Sequence, residues 1–161
     1  MHATPQKEHE WLNKLVGEWT YETEATMGPG QPLLKFKGTE TVRSLGGLWV
    51  IGEGQGEMPG GGIGRMIITI GYDPEKGHYV GSWVGSMMTL LWVYQGAVDP
   101  DGKTLRLNTE GPNFADGGKT TAKFQEVIQF HSDDYRTFTS RMQAADGSWQ
   151  EFMTAHYRRK K

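Results

Sequence analysis

The sequence predicts an all-β protein, an antiparallel up-and-down barrel of about ten strands behind a short N-terminal helix. Three observations carry that prediction. From Gly17 onward, apolar and polar residues alternate with the two-residue period of half-buried strands. Asp73-Pro74-Glu75-Lys76-Gly77, Asp99-Pro100-Asp101-Gly102, Asp116-Gly117-Gly118 and Asp146-Gly147 are hairpin turns, in which Asp or Pro starts the turn and Gly takes the positive φ. No crossover helix interrupts the series. An open sheet of this length would leave exposed edges, which closure into a barrel removes. A β-sandwich is the structural alternative. The whole chain, 1–161, reads as one domain, with the helix at about 5–16 and the barrel at about 17–159.

The elements follow in order. Thr4 can cap the helix, Pro5 suits its first position, and Glu8 and Glu10 lie early in it. Trp11, Leu12, Leu15 and Val16 form its apolar stripe, and Gly17 stops it. Trp19, Tyr21, Thr23, Ala25 and Met27 alternate with Glu18, Thr20, Glu22, Glu24 and Thr26 as the first strand, and Gly28-Pro29-Gly30-Gln31-Pro32 is a loop. Further strands are expected at about 33–44, 48–58, 65–72, 78–86, 89–98, 104–111, 119–131, 135–144 and 148–159. One connection lacks turn residues. His78 to Val98 would span ~70 Å if extended, so the chain must fold back at Gly85-Ser86-Met87-Met88-Thr89. Two Met at a hairpin tip either tuck into the barrel end or form an adaptable apolar lip, a surface through which a homodimer could form.

Bulk composition excludes several classes. The chain has no Cys, which removes disulfides, thiolate nucleophiles and Cys-ligated metal sites. A net charge of −2, with a basic run only at Arg158-Arg159-Lys160-Lys161, gives no nucleic-acid footprint. The N-terminal residues lack an apolar signal region, and the apolar run Met87 to Tyr94 is too short to span a bilayer. A cytoplasmic location is expected. The 23 Gly include the cluster Gly52 to Gly64, which has neither a dinucleotide fingerprint nor a phosphate loop. Its alternate members Gly52, Gly54 and Gly56 give one face of a strand no side chains, which lets the strand bend or lets a large neighbour, a Trp, lie across it.

Leu15-Val16-Gly17-Glu18-Trp19 places a Gly-x-Trp at the start of the first strand after a short helix. That arrangement resembles the calycin group: lipocalins, fatty-acid-binding proteins and nitrobindin-like barrels. The resemblance implies that Trp19 plugs the barrel base under a basic residue from the last strand, Arg158, with Arg159 as the alternate. Further blocks are similar to a bacterial domain-of-unknown-function family, number fifteen seventy-nine. They are His9-Glu10-Trp11-Leu12 running into Leu15 to Trp19, Gly46-Gly47-Leu48-Trp49-Val50 with Gly52-Glu53-Gly54, and Gly85-Ser86-Met87-Met88 with Trp149-Gln150-Glu151-Phe152. This resemblance covers roughly residues 8–159; it implies a calycin-like barrel and no particular activity.

The chemistry a barrel could hold narrows to few residues. Glu126, between Phe124 and Ile128, and Glu53, on the face of Trp49 and Ile51, are carboxylates that could point inward, where burial raises a pKa. Arg43, Arg141 and Arg158 are their candidate partners. Trp83 and Trp92 flank the Met87-Met88 hairpin at strand spacing as core or cavity wall. Phe152, Thr154, His156 and Arg158 share a face of the last strand, and in nitrobindin-like barrels a late-strand His holds haem iron. The leading expectation is a small intracellular binding protein for an apolar or amphipathic molecule. Its expected ligand residues are Trp49, Glu53, Trp83, Met87, Met88, Trp92, Glu126, Arg141 and His156. A carboxylate-dependent enzyme using Glu53, Glu126 or Glu151, and haem binding through His156, are the alternatives. No cofactor and no metal site is otherwise expected.

Overall fold

A computed structural model describes residues 2–26 and 30–161. Met27, the last residue of the first predicted strand, and Gly28-Pro29 of the loop after it lie outside them. Ten strands close into a barrel: β1 (Gly17–Ala25), β2 (Leu34–Leu45), β3 (Trp49–Glu57), β4 (Ile63–Asp73), β5 (His78–Gly85), β6 (Trp92–Val98), β7 (Thr104–Pro112), β8 (Thr121–Ser132), β9 (Tyr135–Gln143) and β10 (Trp149–Arg159). Each pairs with its sequence neighbours in antiparallel fashion, and β1 pairs with β10 from Trp19–Arg159 to Ala25–Met153. That last ladder excludes the sandwich, because it leaves no free edge.

Two boundaries moved for identifiable reasons. The helix α1 covers only Lys7–Trp11 and continues as a 3₁₀ turn over Leu12–Leu15, with Gln6 rather than Thr4 at the cap. His9 decides this. Its Nδ1 accepts the Gln6 N–H at 2.9 Å, so its Nε2 carries the hydrogen and donates to the Tyr72 carbonyl at 3.0 Å. The first turn can therefore begin only where His9 reaches β4. Strand β6 begins at Trp92 rather than near residue 89, because Ser86 to Leu91 form the tip of the Met-Met hairpin.

The helical segment lies under one end of the barrel, the base. Leu12 and Leu15 are buried there, Trp11 packs edge-on against Tyr79 and Phe130, and its Nε1 donates to the Gly102 carbonyl at 2.7 Å. The odd-to-even connections, β1–β2 through β9–β10, lie at the opposite end, the rim. No helix among the described residues is long and apolar enough to cross a membrane.

Candidate functional site: a hollow barrel with a polar wall

The inner face of the sheet is not filled. A cavity of about 330 Å³ runs from Leu15, Val42 and Ile70 near the base to Met58, Met87, Met88 and Phe114 at the rim. Its walls are chiefly apolar and aromatic, including Trp83, Trp92, Phe124 and Phe138. The glycine face of β3 helps to leave this space. Gly52, Gly54 and Gly56 point inward, and the groups lying across them are Ile68 with Glu40, Met66 and the Tyr21 hydroxyl respectively. The expected Trp is not there.

The base is plugged as the resemblance implied, with one residue exchanged. Trp19 is 0 % exposed and donates from Nε1 to the Leu15 carbonyl at 2.9 Å. The guanidinium over its ring from the last strand is that of Arg159, at 4.3 Å, not Arg158, which lies over Tyr135 at 4.2 Å. Arg159 also donates to the Val16 carbonyl at 2.7 Å and the Lys14 carbonyl at 3.1 Å, tying the end of the barrel to its start. Gly17 makes room for it. Its φ is +138°, and a Cβ there would collide with the Arg159 guanidinium.

Arg136 on β9 was not singled out from the sequence. It is 2 % exposed and stands over the rings of Trp19 (4.6 Å) and Tyr157 (4.0 Å). It donates to Glu40 on β2 at 2.7 Å, a buried ion pair spanning the barrel floor, and its Nε is buried without a partner. An Arg at an inward strand position was the available signal, since a charge there requires a partner across the barrel.

Glu126 on β8 is the second buried polar group. It points inward between Phe124 and Ile128 and accepts a hydrogen bond from the Ser140 hydroxyl on β9, its only hydrogen-bond partner among the described residues. Burial pushes its carboxyl up to about 7, only partly offset by Ser140. Tyr94 on β6 and Tyr157 on β10 lie within electrostatic reach. Burial, reinforced by Glu126 at Tyr94 and by Glu40 at Tyr157, raises both phenols well above their ordinary value.

Trp83, Met87, Met88, Trp92 and Glu126 line the cavity, with Met87 and Met88 forming part of its half-exposed rim and Trp92 donating to the Met88 sulfur at 3.3 Å. The other expected ligand residues stand on the outer surface, and that expectation is corrected. Trp49 covers Gly71 from outside, and Glu53 pairs with Arg43 at 3.3 Å in solvent. Arg141 bonds Gln125 and lies over Trp149 at 5.0 Å. His156 accepts or donates at 2.7 Å with the Tyr135 hydroxyl and is not a cavity group, so no haem inside the barrel could reach it. For His156 the physical reason is a β-bulge between Glu151 and Met153. It shifts the alternation of β10 so that Phe152 and Met153 both face the cavity while Thr154, His156 and Arg158 face out. Glu151 is likewise exposed. No group of three His, Asp or Glu among the described residues is placed to hold a metal ion.

A family model described as "Protein of unknown function (DUF1579)" matches residues 4–159. Among solved structures, Rv2717c from M. tuberculosis is similar at 15% identity over 98% of this chain and 100% of that one, with a TM-score of 0.62. The S-type phycobiliprotein lyase CPES from Guillardia theta is similar at 15% identity over 98% of this chain and 99% of that one, with a TM-score of 0.60. Both are likenesses of fold. No curated protein matches the chain.

Proposed function

We propose that this chain, which belongs to the DUF1579 family, is a binding protein that encloses a small amphipathic molecule in its barrel. One observation carries the reading: a cavity of about 330 Å³ with chiefly apolar walls, in which the buried carboxyl of Glu126, unlike that of Glu40, has no cationic partner among the described residues and keeps acceptor capacity unused. Cavities of roughly this size and make-up, mostly apolar with a few placed polar groups, are what small ligands occupy. An empty apolar interior carries a stability cost of its own, so keeping one open is consistent with a use for it.

Trp83 and Trp92 report on the site. Titration with amphiphiles of octyl length and with two-ring aromatics, in neutral, acidic and basic forms, should give a saturable change in tryptophan emission. Trp83→Phe with Trp92→Phe should remove most of that change while calorimetry still records binding. If no compound of the panel gives a saturable signal by either method, the reading fails. The raised pKa of Glu126 also suits it to act as a general base on a bound molecule. That second reading predicts turnover, and a bound ligand recovered unaltered after prolonged incubation removes it.

A further inference from the structure

We propose that the molecule held here is a cationic amphiphile, whose protonated amine sits against Glu126 while its apolar body extends toward the Trp83, Trp92 and Met87-Met88 rim. This rests on the binding reading above and adds the ligand's chemistry to it.

The charges inside the barrel decide between classes. At the floor, Arg136 and Glu40 cancel each other in a direct ion pair. About 13 Å further along β9, at Ser140, the wall changes character. Glu126 is there, about nine-tenths buried, and among the described residues no cation pairs with it: its neighbours are the Ser140 hydroxyl on β9, Tyr94 on β6, Tyr157 on β10 and the apolar Leu107 opposite it on β7. A carboxylate offers two oxygens and about four acceptor sites, of which Ser140 uses one. A buried carboxylate is stable when it is paired, and the unsupplied partner is a positive charge with several N–H donors. An alkylammonium provides that. The rings around it favour the same ligand, because Trp92 and Phe124 pack edge-on at 5.1 Å beside Glu126 and aromatic faces attract cations. An acidic ligand would instead meet the carboxyl groups of Glu40, Glu57 and Glu126 and one Arg that is already neutralised.

The intact protein is titrated with octylamine, octanol and octanoate at pH 6, 7 and 8. Octylamine should bind at least ten times more tightly than octanol at pH 8. Its affinity should rise about tenfold from pH 6 to pH 8, because Glu126 titrates near 7 while the amine stays protonated throughout. Octanol should show no such rise. In Glu126→Gln the amine and the alcohol should bind alike, and the pH dependence should vanish. The pH series on the unaltered protein decides the matter even if the variant folds poorly. Octanol or octanoate matching octylamine at pH 8, or an amine preference that survives Glu126→Gln, overturns the proposal and leaves the binding reading standing. Failure of all three to bind at any pH overturns the proposal, and the binding reading falls with it only if the two-ring aromatics of the wider panel fail to bind as well.

Discussion

Arg136 and Glu40 form an ion pair almost wholly buried from solvent. Arg136→Met should therefore cost about 3–5 kcal/mol in urea unfolding, because it leaves Glu40 buried and unpaired. The double variant Glu40→Leu with Arg136→Met should regain most of that loss. Recovery by the pair, and not by either single change, is the signature of a buried ion pair; additive losses would refute it. Glu126 gives the opposite pH behaviour from an ordinary paired acid. Its carboxyl ionises near 4.5 in the unfolded chain and near 7 in the folded one, so the folded state keeps a proton that the unfolded state releases. Stability should fall as pH rises from about 4.5 to 7 and then level, by about 3 kcal/mol in all. Glu126→Gln, measured by urea midpoints, should gain on the wild type between pH 5 and pH 8; a gap that does not change with pH would mean that Glu126 is paired when folded. Of these residues the sequence made Glu126 legible, because it interrupts an inward apolar run on its own strand. Arg136 was not, because its partner Glu40 is far away in sequence and the choice among inward arginines depends on the shear of the closed sheet.

Strands were the most legible elements, since alternation and Asp-Gly turns act locally. What alternation cannot show is a place where its phase slips. The bulge at Glu151–Met153 reverses the parity of β10, which is why Phe152 and His156 were expected on one face and stand on opposite ones. The glycine face of β3 was legible as a face, but its occupant was not. Tyr21 reaches it from β1, across the Gly38 position of β2, a contact that follows from the stagger of three strands. Gly56→Ala should accordingly push Tyr21 off its seat and lower Tm by several degrees, whereas Gly60→Ala, where a Cβ meets nothing, would suffer only from its positive φ of +88°. The seam of the barrel also belongs to this scale. The ladder between β6 and β7 runs only from Gln95–Asn108 to Val98–Leu105, while β7–β8 continues to Pro112–Thr121. Native-state hydrogen exchange should find the amides of Trp92 to Tyr94 opening well before those of Phe124 to Ile128. Equal protection of the two segments would show that the rim end of β6 is as firmly held as β8.

At the level of the whole molecule, the barrel is held shut by its ends and left open in its middle. Trp19, Arg159 and Gly17 join the last strand to the first and seal the base, while the interior above Arg136 stays hollow. Closure was predictable from the strand count, because ten hairpin-linked strands have no other way to remove their edges. Hollowness was not, since alternation describes a filled and an empty barrel equally well and only the sum of inward volumes tells them apart. That difference is measurable. Ala155 on β10 faces the cavity and is 2 % exposed, between the Thr23 and Phe138 positions of its neighbours. Ala155→Leu would fill part of the void with buried hydrocarbon, a change that commonly adds about 1 kcal/mol, or roughly 2–4 °C in Tm for a chain of this length. A ligand that occupies the same space stabilises the wild type by mass action, by about 2.7 kcal/mol at a hundredfold excess over Kd. The two gains compete for one volume. Octylamine should therefore raise the Tm of the wild type and raise that of Ala155→Leu little or not at all. If the leucine variant is both more stable and equally responsive to the amine, the ligand does not sit inside the barrel.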